Sequence, residues 1–238
     1  MPIYDINGDV ISSGGSGGSP IANEKILMIG DSNMQYNGTS IKDYIEATYD
    51  CSFTVLAKAG VGWEYTAGDK NSASEVTAEC GVGYVNQLIT QADGNIITAW
   101  DKIIIMLGTN CWNMGALTDS ASDFDTMCGA MRYCMEKLCY YGRAIKLGVV
   151  IPMRSDSGAN HYTPSATLEE LPTKFQYIKE LARQYAVPTL NVWDDVRILP
   201  NYMTPDGSTY YLSDTVHLGG NGVTQFKTRL GKWLAYEL

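Results

Sequence analysis

The sequence predicts one α/β domain built on a mostly parallel sheet of five strands. Short apolar runs alternate along the chain with segments of helical periodicity, as they do in β-α-β proteins. The run KIIIML at residues 102–107 is apolar after its first residue, which is typical of a strand covered on both faces. Hydrophobic residues make up 45% of the 238 residues, which is enough for a sizeable core.

The first half of the domain contains three predicted strands and two predicted helices. Apolar runs of strand length predict the strands, and apolar residues at every third or fourth position predict the helices. In chain order these elements are a strand at Lys25–Ile29, a helix at Ser40–Tyr49, a strand at Phe53–Ala57, a helix at Val82–Gln91 and a strand at Lys102–Leu107.

The second half adds three helices and two strands. A helix at Ala121–Tyr141 is followed by a glycine that ends it. A strand at Ile145–Ile151 stops at a proline, and a helix at Pro172–Tyr185 has proline in its first turn. A strand at Thr189–Trp193 and a helix at Asn221–Tyr236 complete the series. Right-handed crossovers between parallel strands then place helices on both faces of the sheet.

The first 20 residues differ in composition from the rest. Residues 1–11 predict an extended piece with an Asn-Gly turn signal, and residues 12–20, SSGGSGGSP, have the composition of a flexible linker. This composition fits a natural tether to a larger assembly and an engineered scar equally well. We expect the main domain to span residues 21–238. No signal-peptide pattern is visible, so we expect a cytoplasmic protein or a part of a larger assembly.

Charge and cysteine spacing exclude several partners. The formal net charge is −9, so the surface repels phosphate backbones and anionic lipids, and no apolar run approaches the ~20 residues that span a bilayer. We therefore expect neither nucleic acid nor membrane as a partner. The six cysteines include no CxxC pair, so we expect no structural zinc site.

Glycines and polar residues cluster after the predicted strands. In a parallel α/β sheet, ligands bind beyond the carboxyl ends of the strands, where these residues should meet. The groups are Gly30-Asp31-Ser32 after the first strand, Gly60 and Gly62 after the second, Gly108-Thr109-Asn110 after the third, and Asp214 with His217 before the last helix.

A serine and a histidine in these groups suit nucleophilic catalysis. Ser32 lies at a strand-to-helix turn, where a hydroxyl is either exposed as a nucleophile or caps the helix. The chain has two histidines, and His217 has a carboxylate, Asp214, three residues earlier, whereas His161 has no close acidic neighbour. A base oriented by a carboxylate is the requirement for activating a serine. Asp31 is expected to brace the turn rather than orient the base.

Acyl transfer also needs hydrogen-bond donors for the oxyanion. The candidates are the side-chain amide of Asn110 and the backbone N–H groups of Gly60 and Ser32. Gly62 is a second candidate in the same loop, and we favour Gly60. Taken singly, Gly60 also fits an ordinary turn glycine and Asn110 a turn-forming asparagine.

Together these blocks resemble those of the SGNH (GDSL-like) hydrolases, and the resemblance spans Ile26 to Gly222. It implies a three-layer α/β/α, flavodoxin-like fold. It also implies Ser32 as nucleophile, Gly60 and Asn110 as oxyanion donors, and His217 with Asp214 as base and orienting acid. The family's chemistry requires no metal or organic cofactor.

Four positions depart from the family's usual pattern. Asn33 stands where leucine is usual, Lys58 where asparagine is frequent, Cys111 where aspartate is frequent, and Leu218 where proline is frequent. None of these changes removes a catalytic atom, but they leave the subfamily and hence the substrate open.

The predicted activity is hydrolysis of small acyl esters by a serine esterase, with an acylated carbohydrate as one candidate substrate. Trp63, Tyr65 and Trp112 follow the site motifs and are expected to line a shallow aromatic pocket, although aromatic residues at such positions also fit a core. An alternative is a carbohydrate-binding or adhesion module that kept the fold and lost turnover. A flavin or nucleotide binder is disfavoured because the first turn has neither a P-loop nor a GxGxxG motif.

Overall fold

A five-stranded parallel sheet forms the centre of the computed structural model, which describes residues 3–4, 10–12, 18–65, 72–90, 96–142, 144–153, 173–192, 195–196, 198 and 217–238. Near the N-terminus, β1 (Ile3–Tyr4) and β2 (Val10–Ser12) pair antiparallel in a separate small sheet. The central strands are β3 (Lys25–Gly30), β4 (Ser52–Ala57), β5 (Lys102–Met106), β6 (Lys146–Ile151) and β7 (Thr189–Asn191). Each predicted strand is confirmed to within two residues at its ends.

Five α-helices connect or flank these strands in the described part of the chain. They are α1 (Ser32–Tyr49), α2 (Gly81–Thr90), α3 (Met127–Tyr141), α4 (Thr173–Gln184) and α5 (Gly220–Tyr236). Short 3-10 turns lie at Ala73–Glu75 and Ile96–Ala99. None of the helices described here combines the length and the apolar character that crossing a membrane would require.

The strand order places the centre of the sheet at β3 and β5. The order is β4-β3-β5-β6-β7, and every neighbouring pair is parallel. Counted from the first strand of this sheet, it is the 2-1-3-4-5 order of flavodoxin-like folds. The chain adds β4 on one side of β3 and then β5 on the other. The loops after β3 and β5 therefore diverge and leave a crevice at the carboxyl edge.

Helices cover both faces of the sheet and make three layers, as predicted. Alternate residues of β5 face opposite ways, because successive side chains of a strand point to opposite faces. Ile103 and Ile105 pack in the core formed with α2, α3 and α4, and Ile104 and Met106 pack in the core formed with α1 and α5. Each buried aliphatic side chain of this kind contributes about 1.5–3 kcal/mol to folding.

Helix α1 begins eight residues before the predicted start at Ser40. The residues between them include Gly38, which is buried and packs on Val55 of β4. A Cβ at Gly38 would lie 3.0 Å from Val55 Cγ1, so the glycine permits close contact between helix and strand. The consequence is that Ser32 is the first residue of a helix rather than part of a loop.

Helix α3 begins six residues after its predicted start at Ala121. Thr126 is its N-cap, and the Thr126 hydroxyl accepts a hydrogen bond from the N–H of Gly129 at 3.1 Å. Before it, residues 117–125 form turns stabilised by carboxylates, among them Asp123, which accepts from the N–H of Ser120. Polar residues that bond their own backbone favour turns and caps over helix interiors.

Candidate active site

Ser32 lies at the carboxyl end of β3, where the strand turns into α1. Asp31 is the N-cap of the helix, and its carboxylate accepts a hydrogen bond from the N–H of Asn33 at 2.9 Å. Gly30 must be glycine, because a Cβ there would lie 2.3 Å from Cγ of Met34. The turn therefore holds the Ser32 hydroxyl at the mouth of the crevice between β3 and β5.

The imidazole of His217, in the segment just before α5, contacts this hydroxyl. Nε2 of His217 lies 3.0 Å from Oγ of Ser32. This distance is within the range over which a general base removes a proton from a serine. The Tyr36 ring also contacts the imidazole in a T-shaped arrangement, with 5.2 Å between ring centroids and 68° between planes.

A second hydrogen bond joins the same two segments beside the first. The amide oxygen of Asn33 accepts from the N–H of Leu218 at 3.0 Å, and Asn33 is fully buried. Both contacts span 185 residues of sequence, so two consecutive residues of α1 hold two consecutive residues of the histidine loop. Asn33 thus positions His217. Sequence reasoning missed this role, although the signal was a polar residue where the family usually has leucine.

Asp31 is entirely buried beneath the site. Burial raises the pKa of the Asp31 carboxyl to about 6, and the hydrogen bond from the N–H of Asn33, the neighbouring Thr109 side chain and the nearby His217 lower it only in part. The carboxyl caps the helix, as expected for a residue that braces the turn.

Asp31 should make the protein less stable as the pH rises. Its pKa is about 6 in the folded protein against 3.8 for the ordinary side chain, so the folded state keeps a proton that the unfolded chain loses. The free energy of unfolding therefore falls by on the order of 3 kcal/mol as the pH rises from about 4 to about 6. Asp31→Asn should remove this loss and be more stable than the wild type at pH 7.

Urea unfolding at several pH values between 4 and 7 measures this effect. Asp43→Asn, an exposed carboxyl on the same helix, is the matched control and should keep the wild-type pH dependence. An Asp31→Asn protein whose stability falls over this range as steeply as the wild type would contradict the assignment.

The candidate oxyanion donors Gly60 and Asn110 lie in the loops that follow β4 and β5. The side-chain amide of Asn110 donates one hydrogen to the carbonyl of Val61 at 3.1 Å, and the amide has a second hydrogen to offer. Gly60 is exposed, has φ +81°, and a Cβ there would meet nothing within 4 Å. Among the described residues, neither the N–H of Gly60 nor that of Ser32 has an acceptor.

Gly62, the other glycine of the loop, has a different environment. It is buried, and a Cβ there would lie 3.0 Å from both Sγ of Cys111 and Oε2 of Glu64. The absence of a side chain at Gly62 is thus required for packing. Gly60 has the open surroundings that an approaching oxyanion needs. This difference favours Gly60 as the donor.

Buried polar contacts lock the two donor loops together. Glu64 is buried and accepts a hydrogen bond from the N–H of Trp112 at 2.7 Å. Sγ of Cys111 accepts from the N–H of Trp63 at 3.3 Å. From α4, the ammonium of Lys174 donates to the carbonyls of Thr109 and Cys111 at 3.1 and 3.2 Å. These contacts hold the loop of Asn110 against the loop of Gly60.

The predicted aromatic pocket requires a correction at Trp63. Trp63 is fully buried, and its indole N–H donates to the carbonyl of Leu107 at 3.0 Å. It is a core residue and does not line an accessible surface. Tyr65 is half-buried against Phe124, with ring centroids 6.4 Å apart, whereas Trp112 is 66% exposed. Motif proximity alone does not distinguish a buried aromatic ring from an exposed one.

Two residues of the sequence argument lie outside the described residues. These are Asp214, predicted to orient the base, and His161, the other histidine. In the described part of the chain, no group of three or more His, Cys, Asp or Glu side chains is arranged to hold a metal ion.

Gly108 shapes the turn that carries Asn110, and its replacement should destabilise the protein. Its φ is +134°, and a Cβ would lie 2.5 Å from Cδ1 of Ile178 on α4. We expect Gly108→Ala to lower the free energy of unfolding by about 1–3 kcal/mol, measured by urea denaturation. Gly220→Ala, at the first residue of α5 with nothing within 4 Å of its Cβ, should not reduce stability. Equal effects of both substitutions would contradict the role given to Gly108.

Comparison with known proteins supports the fold. No protein-family model and no curated protein sequence matches the chain. A solved protein from Lactobacillus plantarum has a TM-score of 0.66 at 18% identity, over 91% of this chain and 99% of that one. A GDSL-like lipase from Bacteroides thetaiotaomicron has a TM-score of 0.54 at 14% identity, over 90% and 89%. An acetyl xylan esterase has a TM-score of 0.54 at 16% identity, over 89% and 99%. The three-layer fold of the SGNH hydrolases, predicted from the four sequence blocks, is thereby confirmed.

Proposed function

We propose that this chain is a serine esterase that works through an acyl-enzyme, with Ser32 as nucleophile and His217 as general base. The observation that carries the proposal is the 3.0 Å distance between Nε2 of His217 and Oγ of Ser32. The fold shared with GDSL-like lipases and an acetyl xylan esterase supports the same chemistry.

In the first step, Oγ of Ser32 attacks the ester carbonyl while Nε2 of His217 takes the hydroxyl proton. The carbonyl oxygen becomes an oxyanion, held by Asn110, Gly60 and the N–H of Ser32. Each such donor is typically worth about 3 kcal/mol in the transition state. The bond to the alcohol then breaks, and His217 gives its proton to the leaving oxygen.

In the second step, water attacks the Ser32 ester with His217 again acting as base, and the acid is released. Asp214, three residues before His217, is the proposed group that holds the imidazole in the correct tautomer. The N–H of Leu218 donates to the amide oxygen of Asn33, and the N–H of Asn33 donates to the carboxylate of Asp31; these hydrogen bonds keep nucleophile and base in register.

The proposed substrate carries a small acyl group on a carbohydrate or similar alcohol. Exposed Trp112 directly follows the donor loop, and its ring offers an apolar face on which a sugar can stack. Hydrolysis of p-nitrophenyl acetate and acetylated sugars should exceed hydrolysis of long-chain esters. A preference for long acyl chains would contradict this substrate class.

A fluorophosphonate probe tests the nucleophile. The protein is labelled, digested and examined by mass spectrometry, and the label is expected on Ser32. Ser40, an exposed serine of the same helix, should stay unlabelled. Absence of a label on Ser32, together with retained binding of acetylated glycans, would favour a carbohydrate-binding module on this fold.

A further inference from the structure

Tyr36 is an exposed aromatic residue that neither transfers a proton nor holds the oxyanion in the proposed reaction. It lies four residues after Ser32 on α1, which places both side chains on the same face of the helix, one turn apart. Its side chain is 63% exposed. Core packing therefore does not account for an aromatic residue at this position. The ring instead lies beside the imidazole of His217.

The Tyr36 ring borders the base on which the leaving alcohol must be protonated. The Tyr36 ring and the imidazole of His217 are in T-shaped contact, with 5.2 Å between their centroids. In the acylation step the leaving oxygen takes its proton from Nε2 of His217, so this oxygen must come within about 3 Å of that nitrogen. The remainder of the alcohol then extends from a point next to Tyr36.

The loop of the candidate oxyanion donors lies beside Gln35 of the helix rather than beside Tyr36. The side chain of Gln35 accepts a hydrogen bond from the N–H of Ala59, next to Gly60. Tyr36 is the following residue and is turned by about 100° around the helix. Gln35 thus faces the loop of the oxyanion donors, and Tyr36 faces the histidine. The acyl carbonyl and the leaving alcohol approach these two sides separately.

We infer that Tyr36 is a specificity residue for the alcohol portion of the substrate, favouring alcohols that present a flat apolar face, such as a pyranose or an aryl ring. The exposed ring face supplies a stacking surface, and its contact with His217 sets its distance from the departing oxygen. This inference rests on the proposed esterase activity, and it concerns the alcohol rather than the acyl group.

The test uses acetate esters that differ only in their alcohol. For Tyr36→Ala, kcat/KM should fall between about 3- and 10-fold on phenyl acetate and on an acetylated methyl glucoside, and by less than about twofold on ethyl acetate. Phenyl esters of increasing acyl length should keep their wild-type order of reactivity. Tyr36→Phe keeps the ring and should keep the wild-type preference among alcohols.

Tyr140→Ala is the matched control. Tyr140 is a similarly exposed tyrosine, at the end of α3 that leads into the start of β6, so it lies at the opposite edge of the sheet. This variant should leave all the rates unchanged.

The outcomes separate this inference from the proposed function. An equal loss on ethyl acetate would show that Tyr36 acts through His217 and would overturn the alcohol assignment, as would a changed acyl preference. Labelling of Ser32 by the fluorophosphonate, combined with unchanged alcohol preference in Tyr36→Ala, would overturn the inference and leave the esterase intact. Failure of the wild type to label or to hydrolyse any of the esters would overturn both.

Discussion

Replacing Ser32 with alanine should reduce kcat/KM for p-nitrophenyl acetate by about 10³-fold or more. The variant lacks the oxygen that forms the acyl-enzyme, while the donors at Gly60 and Asn110 stay in place. The side chain is nearly buried at the first position of α1, and its hydroxyl contacts the imidazole of His217, so its loss should change the fold little. The steady-state rate and the burst of p-nitrophenol are both measured.

The control for this experiment is Ser40→Ala on the same helix. Ser40 is exposed and bonded to Lys227 on α5, away from the crevice. This variant should hydrolyse the ester at the wild-type rate. Wild-type activity in Ser32→Ala would show that Ser32 is not the nucleophile and would overturn the proposed mechanism.

Replacing His217 with alanine should lower kcat/KM by a similar factor, about 10³-fold or more. Without the imidazole, no base within reach takes the proton from Oγ of Ser32, and no acid protonates the leaving alcohol. Because hydroxyl and imidazole act as one unit, the double variant Ser32→Ala/His217→Ala should be about as slow as either single variant.

His161→Ala provides the comparison, since His161 is the only other histidine of the chain. This variant should be close to the wild type in activity. Loss of activity at His161 with retention at His217 would reassign the base.

The sheet was predictable from the sequence because its strands are short, mostly apolar runs, and the central strand β5 is buried on both faces. Ile103, Ile104 and Ile105 are all buried, since helices cover each side of β5. The order of motifs at the strand ends likewise predicted that Ser32 and His217 would meet. Parallel strands gather their carboxyl ends at one edge, so this proximity follows from topology rather than from local sequence.

Features decided by distant contacts were not predictable. The sequence predicted the first helix only from Ser40, and no local pattern indicates that Gly38 packs on Val55 inside α1. Trp63 looked like a ligand-binding ring and is instead core, because its indole N–H finds an acceptor at Leu107. The partner of Asn33 lies 185 residues away, where no local pattern indicates it.

The late position of the histidine has a consequence for biosynthesis. The hydroxyl and both donor loops are translated long before α5, which packs on α1 where Gly231 lies against Tyr49. His217 and Leu218 lie just before α5 and contact Ser32 and Asn33 at the start of α1. Under the proposed mechanism, a nascent or truncated chain that ends before His217 lacks the base that activates Ser32, so we expect it not to hydrolyse esters.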